Sequence, residues 1–164
     1  MKGIVLVLRA LHHGENSLAK ELHATAVRHR TEHEVHHVAV DLAQWSREHS
    51  DRITEAAAHY DVRLSGPPAK SAPGGILSAL REKTAETVGR RPEPALLLLH
   101  DLGDLHLAAT ENSLYWEMLA QAAQASRDRR LLGLTTVCHP QTLRQMRWFN
   151  TLIKVLSAQA LTSL

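Results

Sequence analysis

The sequence predicts an all-α protein, a four-helix bundle with a long crossover between its second and third helices. Two observations point there. Apolar residues recur at alternating spacings of three and four along most of the chain, which is the pattern of amphipathic helices. The composition agrees: Ala, Leu, Arg, Glu and Gln favour helix, and one Phe and two Tyr leave aliphatic side chains to fill the core. A length of 164 residues suits one domain, residues 1–164, with a core of its own.

The rest of the chain is organised around Leu8 to Tyr60. Leu8, Leu11, Glu15, Leu18, Leu22, Thr25 and His29 form one seam, and Val35, Val38, Leu42, Trp45, His49, Ile53, Ala56 and Tyr60 form a second. The polar run Arg30-Thr-Glu-His-Glu34 between them reads as a short antiparallel connection. The first helix is expected over about residues 4–29, with Gly14 inside it costing about 1 kcal/mol relative to Ala. The second is expected over about 34–61. Residues 62–94 then form the crossover: a Pro- and Gly-rich loop from Leu64 to Gly75, followed by a short amphipathic helix bearing Ile76, Leu77, Leu80, Thr84 and Val88. The third helix starts after Pro94 and runs to about Ser126, its stripe being Leu99, Leu102, His106, Ala109, Ser113, Trp116, Ala120 and Ala123. Asp128 can cap a fourth helix carrying Leu131, Cys138, Thr142, Gln145, Phe149, Leu152 and Leu156. Pro140 is expected to kink that helix or restart it.

A doubly wound α/β fold is the rival. Gly3–Leu8, Glu34–Val40, Ala95–Leu99 and Leu132–Val137 each resemble a short buried strand followed by a helix. Against it, the helical seams pass unbroken through the first three runs. No Gly-rich phosphate loop follows the first one.

The net charge of +2 makes no electrostatic case for nucleic acid or a membrane surface as partner. Twelve histidines would turn the surface strongly basic below about pH 6. The lone Cys138 excludes an intrachain disulfide and fits a reducing cytoplasm. The apolar run at the N-terminus is short and lacks a small-residue cleavage site, and nothing reaches the roughly 18–20 apolar residues of a membrane span. A soluble cytoplasmic protein that self-associates is expected.

One feature looks like a site. If the first turn centres on Glu32, antiparallel pairing sets Glu15 level with His49, each interrupting an apolar stripe at the same height. Either the two form a charge-assisted couple that fixes helix register, or they hold a ligand. For one transition metal ion (zinc, iron or copper) the candidates are Glu15 and His49 joined by His12, or by His106 and Glu111 of the third helix. An alternative cluster is His29, Glu34 and His37. Cys138-His139 are adjacent on a helix and point apart, so a core thiol is the better reading than a nucleophile. Trp45, Trp116 and Trp148 read as core or interface, and Arg127 to Arg130 with Arg144 and Arg147 as solvated basic patches.

The stretches Leu11-His-His-Gly-Glu-Asn-Ser-Leu18, Glu34-Val-His-His37, Asp101-Leu-Gly-Asp-Leu-His106, Gln121-Ala-Ala-Gln124 with Arg127-Asp128, and Ile153-Lys-Val-Leu-Ser-Ala-Gln-Ala-Leu161 resemble a group of uncharacterised bacterial ferritin-like proteins. The resemblance covers most of the chain and implies a four-helix bundle with its crossover between helices two and three. It implies no activity. The di-iron pattern of ferritin-like bundles needs a Glu on each of two helices and Glu-x-x-His on each of the others. This chain has one such pair, Glu34–His37, and no Asp or Glu from Leu131 to Leu156. A non-catalytic interaction or structural bundle is therefore expected, with a mononuclear metal or small-ligand site as the alternative.

Overall fold

The computed structural model describes residues 2–65 and 93–163. These residues form four α-helices, α1 (Lys2–Arg28), α2 (His33–Ala58), α3 (Pro94–Ser126) and α4 (Arg129–Thr162). No strand occurs among them, and all four runs that could pass for strands lie inside helices. The α/β alternative is excluded for this part of the chain. The short helix expected at 76–88 and most of the expected crossover lie outside the described residues.

Helix ends follow local chemistry. Pro94 starts α3 at a position where its missing N–H is no loss. Arg127 ends α3 in the left-handed region, φ 56°, while Asp128 N–H reaches back to Ala123 O at 2.9 Å. Asp128 then caps α4, its side chain accepting from Arg130 N–H at 3.0 Å and Leu131 N–H at 3.1 Å. The α3–α4 turn is thus two residues long. Helix α4 passes through Pro140 without restarting, which rules out one of the two expected outcomes. Pro140 removes one intrahelical donor, yet Cys138 and Thr142 beside it are wholly buried, so packing on both sides holds the helix together.

Cross-helix contacts set the topology. Helix α1 packs on α2 and α3, and α4 packs on α3 and α2. Arg28 and His29 meet Asp101 while Glu15 meets Trp116, so α1 and α3 are antiparallel. Gln145 meets Leu42 and Ser46 while His49 meets Gln141, so α2 and α4 are antiparallel too. With two antiparallel hairpins, α2 and α3 therefore run in the same direction.

The interior comes in two apolar clusters. Ile4, Leu8, Leu11, Ile53, Trp116, Leu119 and Leu131 are among those filling the end where α1 begins. Leu18, Leu22, Leu42, Leu98, Leu102, Leu105 and Phe149 fill the end near the α1–α2 turn. Each buried leucine contributes about 1.5–3 kcal/mol relative to exposure. Between the clusters lies a layer of buried polar side chains, and the site is there.

Candidate functional site: a polar layer across the bundle

Every helix contributes to this layer. Glu15, His49, Asn112, Thr142 and Gln145 are each no more than 1 % exposed, and Ser46 is fully buried. Such groups are tolerated in an apolar core only when hydrogen bonded. The Glu15 Oε1 atom accepts from Trp116 Nε1–H at 3.0 Å and lies 3.3 Å from His49 Nδ1. On its far side His49 donates from Nε2 to Gln141 Oε1 at 2.7 Å. Gln145 donates from Nε2 to Leu42 O at 3.0 Å and to Ser46 Oγ at 2.9 Å, tying α4 to α2. On the α1 side, Asn16 donates to the His12 ring at 3.2 Å and accepts from Ser50 at 2.9 Å.

The tautomer of His49 follows from its partners. Gln141 Oε1 is an acceptor, so Nε2 carries a proton. The Nδ1 atom faces a carboxylate oxygen, which a lone pair would repel, so it carries one as well. Burial by itself pushes the His49 pKa down. The facing Glu15 carboxylate, the Gln141 acceptor and the charge of Glu48 together outweigh it and raise the pKa above 6.5. Glu15 and His49 are in ion-pair contact without an aligned hydrogen bond, so Nδ1 keeps hydrogen-bonding capacity to spare.

Among the described residues four buried polar atoms of the layer have no hydrogen-bond partner: Glu15 Oε2, His49 Nδ1, whose one contact is the ion pair with Glu15, Asn112 Nδ2 and Gln145 Oε1. They come one from each helix. Cys138 lies in the same stratum, fully buried. Burial, followed by the charge of Glu15, pushes its thiol up to about 12, so it is a protonated core thiol as expected.

Of the residues singled out from sequence, Glu15 and His49 are brought together as expected. His12 is buried near them but is engaged by Asn16. His106 turns the other way and donates from Nδ1 to Met146 O at 3.2 Å, and Glu111 is exposed, accepting from Tyr115 OH. Asn112 and Trp116 face α1, and Glu111 lies about 100° of helix rotation away from Asn112. The alternative cluster is likewise dispersed: His29 pairs with Asp101, while Glu34 and His37 are exposed. Among the described residues no three His, Cys, Asp or Glu side chains gather at one point. A dinuclear iron centre does not fit these side chains, since α4 offers no carboxylate at all.

Sequence reasoning missed Asp101, Asn112 and Gln141. Asp101 is 7 % exposed, and its Oδ2 accepts from His29 Nε2 at 2.6 Å and Arg28 Nη1 at 2.8 Å. Burial would raise its pKa, but these two donors and their charge hold it below the usual carboxylate value. No signal marked Asp101, because it lies outside the stripe read for this helix and a carboxylate there reads as solvated.

The fold and the layer bear on kinship only through comparison. No family model matches the chain. No curated protein and no solved structure matches it either. No described helix is long and apolar enough to cross a membrane.

Proposed function

We propose that the chain is a non-catalytic helical-bundle protein of ferritin-like type, cytoplasmic and self-associating, serving an interaction or structural role. Two hairpins with α2 and α3 pointing the same way suit the single-crossover arrangement of ferritin-like bundles. The observation that carries the non-catalytic part is the Glu15–His49 couple. At mid-bundle, where metal ligands of such folds project inward, it is held by Trp116 and Gln141 rather than by further acids or imidazoles. In this reading it sets the register of α1 against α2, α3 and α4.

A second reading is favoured by a specific observation. The four atoms without a hydrogen bond, one per helix, are donors on His49 and Asn112 and acceptors on Glu15 and Gln145, which suits a small polar ligand within the layer; a single zinc, iron or copper ion there would rest on Glu15 and a deprotonated His49. One experiment separates the two. Replacing Glu15 with Leu and His49 with Met together removes the couple and leaves apolar side chains. In the register reading the double variant melts at or above wild type, because well-packed apolar residues match or exceed a buried ion pair by about 1–4 kcal/mol. Each single variant loses about 3–5 kcal/mol through the uncompensated partner. Melting curves with and without each metal complete the test: a metal-dependent rise confined to wild type supports the site, and its absence supports the register role.

A further inference from the structure

Helices α3 and α4 are oppositely charged. Helix α3 contains no Lys or Arg and carries Asp101, Asp104, Glu111 and Glu117, all but the first exposed. Helix α4 contains no Asp or Glu and carries Arg129, Arg130, Arg144, Arg147 and Lys154, all exposed. Both also show apolar side chains to solvent. On α3, Leu96, Leu107, Leu114 and Met118 are 36 %, 68 %, 52 % and 53 % exposed. At about 100° per residue they fall in one stripe about 40° wide. Asp101, Asn112 and Trp116 point to α1, while His106 and Ser113 point to α4. The leucine stripe therefore turns outward on the flank shared with α4. By the same rotation Leu143, Arg147, Lys154 and Leu161 share the corresponding stripe of α4, away from α2.

The two stripes are side by side in one face. Each helix is about 50 Å long at 1.5 Å per residue, and two abreast are about 20 Å wide. That face of about 1,000 Å² exceeds the roughly 800 Å² per partner of a standard stable interface.

We infer that this α3–α4 face is a homodimer interface, with a two-fold axis parallel to the helices that lays α3 of each copy on α4 of the other. The inference specifies the surface behind the proposed self-association and is independent of the polar layer. The axis is chosen by charge: a perpendicular one would set acidic α3 on acidic α3 and basic α4 on basic α4. Heights agree as well. The contacts His106–Met146 and Ser113–His139 fix the level of α3 against α4 within one copy, and an axis along the bundle preserves it between copies. Leu107 then lies level with about residue 145 of the partner, near Leu143. Leu114 lies level with about 138, near Pro140. Asp104, beside His100 on its own helix, comes level with about 148 and so next to Arg147, and Arg144 falls between Asp104 and Glu111. Leucines meet apolar residues at the centre and opposite charges meet at the rim.

The test uses the full chain and two exposed charge-reversed variants, D104R/E111R and R144E/R147E, with molar mass measured by light scattering after gel filtration. Wild type is expected to be dimeric. In the first variant the facing positions 104, 111, 144 and 147 are all basic and in the second they are all acidic. Each is therefore expected to self-associate about a hundredfold more weakly. Mixed together they restore both α3–α4 contacts and should form a heterodimer. L107E/L114E should be monomeric, with helical circular dichroism unchanged because both positions are exposed. A monomeric wild type, a dimer indifferent to L107E/L114E, or reversed variants that fail to combine would each overturn the assignment.

Discussion

His49 and Gly14 show how much a single position depends on what faces it. His49 has its folded pKa raised above 6.5 despite burial, because Glu15 and Gln141 engage both ring nitrogens. Protonation is therefore favoured more by the folded chain than by the unfolded one. The resulting stability is fully present below pH 6.5 and is lost as pH rises through the folded value. NMR titration of the ring is expected to give a midpoint above 6.5. A midpoint below it would mean that desolvation dominates and that the couple is not an ion pair. Gly14 reads differently in sequence and in structure. In an isolated helix, Gly14→Ala would gain about 1 kcal/mol. A Cβ at Gly14 would lie 2.1 Å from Asn112 Oδ1, and Asn112 is 1 % exposed and belongs to the polar layer. The substitution must push that amide out of place, at an overpacking cost of about 1–3 kcal/mol. Chemical denaturation is expected to show a net loss, recovered when Asn112 is also made Ala. A stabilised Gly14→Ala protein would show that α1 and α3 can part there without penalty.

Two tethers hold the elements together at opposite ends of the bundle. At the α1–α2 turn, Arg28 and His29 clasp Asp101 of α3. Because the Asp101 pKa is lowered, its contribution is present above the ordinary carboxylate pKa of 3.8 and disappears as pH falls through the folded value. Asp101→Asn should cost about 1.5–3 kcal/mol near neutral pH, the range for hydrogen bonds to charged groups. It should also flatten the acid limb of the stability profile. An unchanged acid limb would show that the clasp does not couple α1 to α3. At the other end Asp128 joins three elements. It caps α4, accepts from Tyr60 just beyond α2, and follows the left-handed Arg127 that closes α3. The Tyr60 bond, then the capping amides, hold the Asp128 pKa low, while burial and then this carboxylate push the Tyr60 hydroxyl up to about 12. Asp128→Ala is expected to lose about 1 kcal/mol from the cap and, in addition, the anchor for the α2 end. Hydrogen exchange in the first turn of α4 would report it, and unaltered protection there would count against the cap.

For the whole molecule, the four helices predict a far-UV circular dichroism spectrum dominated by α-helix, with well over half the residues helical. Appreciable strand signal would contradict the bundle. Much of this architecture was legible in the chain itself, because local physics writes it there. Period-3.6 seams, Pro94 at a helix start, Asp128 at a cap and the short polar turn at 30–34 all act within a few residues of one another. The α1 stripe was read residue by residue, and every member of it is buried. The level pairing of Glu15 with His49 was also readable, since a tight hairpin fixes register by counting. The remainder was decided by tertiary structure. Helix α3 carries leucines well beyond the stripe that holds Trp116, so its packing is what shows that Asp101 and Asn112 turn inward toward α1 while Leu107 and Leu114 stay in solvent. Glycine at 14 looked like a weak point until Asn112 was found against it. Glu111 and His106 looked like neighbours of Glu15 until their helix rotation sent one to solvent and the other toward α4. The spacing of residues within one helix is local and survives in sequence. The angle at which a second helix meets it depends on residues a hundred positions away, and only the folded chain contains it.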